Sequence, residues 1–443
     1  MSRLESALNN VDQTKALLIE RGALNKVPAL FKSQFSEAKT IIVTDQVMFD
    51  VVGKKIKGLL DEQKVPQEQP FVFKVPLEAT YENVELLAEA LRNHDAVPIA
   101  IGSGIINDLV KLASHQTGRR YMCVATAASV DGYTAFGSSV TLHGSKQTIS
   151  CPAPLACLAD TDVIATAPLS MSAAGYADTL AKVTAGADWI LADALDVEPI
   201  NETTWGIAQG GLHESLTRPE GIVERVPETY GLLTERLMLC GLAMQHAKST
   251  RPASGAEHHF SHLWDMEHHL YNGKQVSHGF QVSIGTLALT AFYEQLMQIP
   301  MEELDVKHCI HVWPTLDQFI LRAVDMFKDT DFLHIAVTEM IAKYISKDEL
   351  KEQLELLKRE WPIIKERVSK QIIPFEEVKR CLKVVGAPVE PEEIGISRKY
   401  LRETFYRAIY IRRRFTVLDL ALRTDTMERC LDNMFGKNGL WKI

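Results

Sequence analysis

The sequence predicts two unlike halves: an α/β half on a doubly wound parallel sheet over residues 1–163, and an all-helical half over residues 164–443. Three observations predict this. Short β-branched runs alternate with helical segments as far as residue 163, the pattern of successive βαβ units. A glycine-rich turn, Gly102-Ser103-Gly104, stands between one of those runs and the helical segment after it. From Pro168 onward the β-branched runs stop and helical periodicity takes over.

Composition bounds the answer before any element is placed. A chain of 443 residues has room for two domains, and 46% apolar with 24% charged residues is ordinary for a globular protein. The net charge of −9, with no long Lys/Arg run, argues against a nucleic-acid surface and leaves room for a local anion pocket. The N-terminal stretch has no apolar core of signal-peptide type, and no apolar run is long enough to span a bilayer. A soluble, cytoplasmic protein is therefore expected, with neither membrane nor nucleic-acid partners. The seven cysteines are scattered without a Cys-x-x-Cys pair, so buried free thiols are expected.

Taken in order, a polar N-terminal helix precedes Thr40–Thr44, a β-branched run that ends at Asp45 and reads as a buried parallel strand. A helix over Val47–Leu60 follows, then a strand at Phe71–Val75, a helix at Tyr81–Arg92 and a strand at Val97–Ile101. The next residues are Gly102-Ser103-Gly104-Ile105-Ile106-Asn107. A glycine turn between strand and helix lets backbone N–H groups approach a phosphate. The third glycine of the standard dinucleotide fingerprint is replaced by Asn107, and no acidic residue stands about 20 positions on. Arg119 and Arg120 stand near there instead, so a turn without a ligand remains an alternative. The strand Tyr121–Ala125 opens into Thr126-Ala127-Ala128-Ser129-Val130-Asp131. Small hydroxyl residues and a carboxylate past a strand's C-terminal end suit ligand binding, or simply a side-chain-stabilised turn. Residues 135–150 read as a hairpin turning at His143-Gly144-Ser145, and Leu155–Ala159 as the last strand.

In the helical half, Ser170–Lys182 starts a helix rich in small residues. Asp178 there is costly to bury unless it pairs with Lys182, four residues on, or coordinates a metal. Glu228–Lys248 reads as an amphipathic helix, and Ser254-Gly255-Ala256-Glu257 as a helix start with an N-cap serine. Between Arg251 and Gly279 stand six of the fourteen histidines: His258, His259, His262, His268, His269 and His278. Such a density points either to a metal-assisted site or to a polar helix face. His258 and His262 share one face while His259 points elsewhere, and His278 opens the next apolar helix. Residues 301–375 read as a charged helical insertion, and Arg412-Arg413-Arg414 as a solvated, partly ion-paired face.

Several of these stretches together resemble one family. GSGIINDLVK, TAASVDGYTA, AGYADTLAKVTAGADW, RPASGAEHHFSH and VSHG resemble a bacterial-type sn-glycerol-1-phosphate dehydrogenase. That group falls within the iron-containing alcohol dehydrogenase, glycerol dehydrogenase and dehydroquinate synthase-like superfamily. The resemblance runs in order from Asp45 to about Phe415, and nothing is transferred onto residues 301–375. It implies a Rossmann-like N-terminal domain, an all-α C-terminal domain and an active-site cleft between them. It also implies that Asp178, His258 and His278 ligate one divalent metal (Zn, Ni or Fe), which selects His258 over His259. Asp131, Asp178 and His262 would contact substrate. Gly102, Ser103, Gly104, Ile105 and Ile106 would cradle the pyrophosphate of NAD or NADP, and Thr126, Ala127, Ala128 and Ser129 would line the cofactor. Asp45 would accept from the adenosine ribose, and a cofactor-contacting serine common in the family is Ala135 here.

One carboxylate and two imidazoles form the open set of a catalytic metal site. The implied reaction is reversible NAD(P)H-linked reduction of dihydroxyacetone phosphate, with the metal polarising the C2 carbonyl and His262 supplying a proton directly or through water. The substrate phosphate would meet Arg251, Lys182 or Lys146. Alternatives are a polyol dehydrogenase acting on a non-phosphorylated substrate and a dehydroquinate synthase-like lyase. A homodimer is the family expectation.

Overall fold

The computed structural model describes residues 2–142 and 145–443. The hairpin turn expected at His143 and Gly144, and the side chain of Lys146, lie outside the described residues. The N-terminal half is built on eight strands: β1 (Ala16–Glu20), β2 (Thr40–Asp45), β3 (Phe71–Phe73), β4 (Val97–Gly102), β5 (Met122–Ala125), β6 (Ser138–Leu142), β7 (Ser145–Ile149) and β8 (Ala156–Asp160). Six of them form one sheet in the order β1-β8-β5-β4-β2-β3, with every pair parallel, while β6 and β7 form an antiparallel hairpin. The expected strands are present, though the one at Phe71 stops at Phe73 and does not reach Val75. β1 is an edge strand that the sequence reading did not contain.

Alternation along the strands loads the two faces separately. Ile42, Ile99, Ile101, Met122, Val124 and Leu158 share one core with Val27 and Phe31 of the Val27–Phe35 helix and with Ile56 and Leu60 of the Lys54–Glu62 helix. The Tyr81–Arg92 and Gly104–Gln116 helices pack on each other instead. Right-handed crossovers require this split. From β2 the chain moves outward to β3, whereas from β4 it moves the opposite way to β5. The connections leaving β2 and β4 therefore depart to opposite faces, and a crevice opens at the carboxyl ends of this adjacent pair. Asp45 ends β2 and Gly102 ends β4.

By packing, the chain groups into two compact units. One compact unit comprises 1–179, 203–250 and 384–386; the other comprises 180–202, 251–383 and 387–443. The physical reason lies in the packing of the first unit. Ile207, Ala208, Leu239, Leu242 and Ala243 bury against Ala7 and Val11 of the N-terminal segment. Thr134 Oγ1 donates to Met238 O at 2.6 Å, and Gln245 Nε2 donates to Thr14 Oγ1 at 2.8 Å. The Pro227–Ala247 helix is for the same reason buried almost all round from Tyr230 to Gln245, and not amphipathic as expected.

The second unit is helical apart from a two-stranded ribbon at Leu270–Tyr271 and Lys274–Gln275. Edge-on aromatic contacts join Phe260, Trp264 and Phe405 at its centre. Residues 301–375 are helical, as read, and their long helix Lys347–Gln371 packs into this unit. It buries Leu350, Leu354, Leu357, Trp361 and Ile364, its Gln371 Nε2 donates to Val183 O at 3.1 Å, and Arg367 pairs with Asp193 at 2.8 Å. Of the arginine run, Arg413 pairs with Glu339 at 2.7 Å and Arg414 donates to Ser254 O at 2.5 Å. All seven cysteines are buried and free.

Candidate active site

The glycine turn is shaped by what a side chain would strike. A Cβ on Gly102 would lie 2.7 Å from the Ile106 side chain, and one on Gly104 would lie 3.0 Å from Val130 Cγ2. The Gly104–Gln116 helix starts at N-cap Ser103, whose side chain makes no capping bond, so its first backbone N–H groups are not used up by a cap. Ile105 is exposed beside them. Asp45, half-buried at the neighbouring strand end, uses Oδ1 to accept from Met48 N at 2.9 Å. Thr126, Ala127, Ala128 and Ser129 are buried, and Thr126 N donates to Gly102 O at 3.1 Å, tying the loops after β4 and β5 together.

A lysine anchors the segment that follows. Lys111 is 1% exposed and its Nζ donates to the carbonyls of Gly132, Ala135 and Gly137 at 2.9, 2.9 and 3.0 Å. These bonds fix the stretch that carries Asp131, a role the sequence reading missed. Asp131 N donates to Asp178 Oδ2 at 3.1 Å, and Cys240 Sγ donates to Asp131 Oδ2 at 3.3 Å. Asp178 itself is fully buried in the Leu169–Leu180 helix, three residues after Gly175. A Cβ on Gly175 would lie 2.0 Å from Ala128 O, so only glycine lets this helix meet the Ala128–Ser129 backbone.

The histidines divide by their partners. The Ala256–Met266 helix begins at N-cap Gly255, one residue later than expected, and Ser254 does not cap it. Glu257, at 0% exposure, accepts from Gly255 N and from His258 Nδ1, both at 2.7 Å. Against the burial that raises it, the bonds from His258 and Gly255 hold its pKa below the usual carboxylate value. His278 opens the His278–Leu296 helix and its Nδ1 lies 3.0 Å from Ser261 Oγ. The rings of His258, His262 and His278 stand 5.2–6.2 Å apart between centroids. Burial, then the charge of Arg412, depresses the His262 pKa well below its ordinary value and keeps the ring neutral. His259 is buried with neither ring nitrogen hydrogen-bonded, while His268 faces Asp331 and His269 meets Ile394 O.

Asp178 in the first unit supplies a buried carboxylate, and His258 and His278 in the second supply two imidazoles, all of ligating type. With both Nδ1 atoms engaged by Glu257 and Ser261, Nε2 is the ring nitrogen left to ligate, an arrangement typical of metal-bound imidazole. The donor set therefore fits a divalent transition metal.

Three arginines near these stretches are engaged by backbone carbonyls. Arg251 is buried and donates to Phe415 O and Asp188 O at 2.9 and 2.8 Å, so its guanidinium is committed to holding the chain together. Arg119 donates to Ala96 O and His94 O, and Arg120 to Gln13 O and Ala153 O. Both arginines precede β5 and so stand at the amino ends of the strands, away from the glycine turn.

Comparison with known proteins shows what the chain is similar to. Residues 18–168 match the profile of the iron-containing alcohol dehydrogenases. A Bacillus licheniformis protein named glycerol-1-phosphate dehydrogenase (NAD(P)+) is 36% identical over 282 residues, 61% of this chain and 68% of the relative. One of the same name from Geobacillus thermodenitrificans is 28% identical over 413 residues, 91% of each chain. The crystal structure of glycerol dehydrogenase from Schizosaccharomyces pombe superposes with a TM-score of 0.60 at 15% identity, covering 95% of this chain and 90% of the other, a likeness of fold. By its identity to relatives of which it spans two thirds or more, the chain belongs to the glycerol-1-phosphate dehydrogenase family.

Proposed function

We propose that the chain catalyses reversible, NAD(P)H-linked and metal-dependent reduction of dihydroxyacetone phosphate to sn-glycerol 1-phosphate. The observation that carries this reading is the His258–His278 pair, whose Nδ1 atoms are engaged by Glu257 and Ser261, in a chain of this family that also carries the buried carboxylate of Asp178. Three protein ligands leave positions open for substrate. A bound Zn, Ni or Fe ion would supply Lewis acidity toward the C2 carbonyl.

The remaining work belongs to the chain. The uncapped helix start at Ser103–Ile106, with Gly102 before it, receives the pyrophosphate. Thr126, Ala127, Ala128 and Ser129 line the cofactor. Asp45 accepts from an adenosine ribose hydroxyl through the oxygen not bound to Met48 N, and its charge opposes a 2′-phosphate, which favours NAD over NADP. Asp131 is held in place through Asp178 and Cys240 to contact a substrate hydroxyl. His262, kept neutral, carries an N–H that it donates to the substrate oxygen directly or through one water.

The deciding experiment follows NADH oxidation with dihydroxyacetone phosphate, NAD reduction with glycerol, and metal content of the purified protein by elemental analysis. Rapid, metal-dependent turnover of the phosphorylated ketone is expected, and His278→Ala should lose both metal and activity. A strong preference for glycerol would make the enzyme a polyol dehydrogenase, and turnover without net change in NADH would make it a lyase. The same reading takes the enzyme as a cytoplasmic homodimer, which light scattering tests. No helix among the described residues is long and apolar enough to cross a membrane.

A further inference from the structure

Two carboxylates behind the histidine pair have no assigned role, and the direction of their hydrogen bonds can be worked out atom by atom. Glu257 is the simpler case. Its Oε1 meets Gly255 N and His258 Nδ1 at 2.7 Å each, and its Oε2 accepts from Thr184 Oγ1 at 2.9 Å. An ionised carboxylate only accepts, so the proton in the contact with His258 sits on Nδ1.

The second case is a relay. Gln281 Nε2 donates to Asp265 Oδ1 at 3.0 Å. The opposite amide orientation would set two acceptors face to face, so the carboxylate fixes which end of Gln281 turns away from it. That end, Oε1, accepts the Ser261 hydroxyl at 2.7 Å. A serine hydroxyl has one proton, and here it is spent on Gln281. The 3.0 Å contact between Ser261 Oγ and His278 Nδ1 is therefore one in which the ring donates. Ser261 and Gln281 are 0% exposed and Asp265 is 9% exposed, so water does not compete for these bonds.

We propose that Glu257 directly, and Asp265 through Gln281 and Ser261, lock His258 and His278 in the Nδ1–H tautomer and so present both Nε2 lone pairs for metal binding. Neutral histidine in water prefers the other tautomer, with the proton on Nε2. Each ring would otherwise have to move a proton and reorient before ligating. Glu257, Ser261, Gln281 and Asp265 are positioning residues: they act on the ligands and touch neither substrate nor cofactor. A Cβ on Gly285 would lie 2.5 Å from the Glu257 backbone O, so the His278–Leu296 helix lies close against the backbone that carries Glu257 and His258. The purpose assigned to the relay rests on the proposed metal site, whereas its direction rests on the hydrogen bonds alone.

The test uses full-length, metal-free protein with ¹⁵N-labelled histidine, read by long-range ¹H–¹⁵N NMR near neutral pH, together with Zn²⁺ affinity by chelator competition. Wild type should show His258 and His278 both as Nδ1–H. Ser261→Ala should convert His278 to an Nε2–H or mixed signal, leave His258 unchanged, and weaken Zn²⁺ binding by about 10- to 100-fold, the usual consequence of losing a partner of a ligating histidine. Asp265→Asn, which frees the Gln281 amide to turn, should shift the His278 signal in the same direction and guards against misfolding of the first variant. An Nε2–H signal for His278 in wild type, or unchanged tautomer and affinity in both variants, overturns the relay. Wild type that shows both Nδ1–H signals yet binds no Zn²⁺ sinks the metal reading and leaves the relay standing.

Discussion

Replacing Gly175 by alanine adds one methyl at the tightest backbone contact near the site. The new carbon would lie 2.0 Å from Ala128 O, 2.7 Å from Ala128 C and 3.1 Å from Ser129 Cα. All three neighbours are backbone, so no side chain can rotate away. Ordinary contact is restored only if the helix and the loop part by roughly 1 Å or more. Overpacking of this kind costs about 1–3 kcal/mol. The functional cost is larger in proportion, because Asp178 lies three residues on and accepts from Asp131 N at 3.1 Å, so the displacement reaches both carboxylates. A misplacement of about 1 Å at a reacting centre reduces rate by ~10²-fold. Gly175→Ala should therefore lower kcat/KM for dihydroxyacetone phosphate by about two orders of magnitude and depress Tm by several degrees. Gly58→Ala is the matched control. That helical position has nothing within 4 Å, so the substitution should leave activity unchanged and stabilise by about 0.4–1 kcal/mol. If Gly175→Ala kept wild-type kcat/KM and Tm, the close approach of helix and loop could not be what places Asp178.

Lys111→Met keeps most of the unbranched stem of the side chain but leaves the carbonyls of Gly132, Ala135 and Gly137 without their buried donor. At about 1–3 kcal/mol for each orphaned group, denaturant unfolding should show a loss of ~3 kcal/mol or more, and the loosened Asp131 should raise KM. A loss under about 1 kcal/mol would show that the three bonds do not hold the segment. Asp188 gives a pH signature: burial first, then the neighbouring Glu257 carboxylate, raises its pKa from 3.8 to about 7, against the bonds donated by Tyr293, Ala256 N and Val417 N. Because the folded value lies above the unfolded one, this contribution to stability is complete below the unfolded pKa and is lost as pH rises through the folded one. The stability difference between wild type and Asp188→Asn should therefore fall from about pH 4 to about pH 7, and a difference that rises across that window would reverse the assignment.

How far the sequence was legible depended on the range of the interaction that decides each residue. β2, β4, β5 and β8 were legible because strands buried on both faces must be apolar throughout, which is itself a local pattern. β1 was missed because an edge strand of uniformly intermediate burial, Ala16-Leu17-Leu18-Ile19-Glu20, has neither alternation nor a β-branched run to separate it from a helix. The same limit governs the site. Helical spacing alone puts His258 and His262 on one face, but it is silent on Asp178, eighty residues away, whose apolar surroundings suggested a Lys182 pair or a metal and which only the resemblance joined to the histidines. Glu257 was read only as part of a helix start behind a serine; its partner Thr184 lies 73 residues upstream and leaves no local trace. Arg251 shows the cost of judging a charge by its neighbours in sequence. Beside a histidine cluster it suggested a phosphate contact, yet its donors go to Asp188 and Phe415, 63 and 164 residues away. A charged side chain near a site is available to ligand only if no distant backbone carbonyl has already engaged it, and no periodicity encodes that.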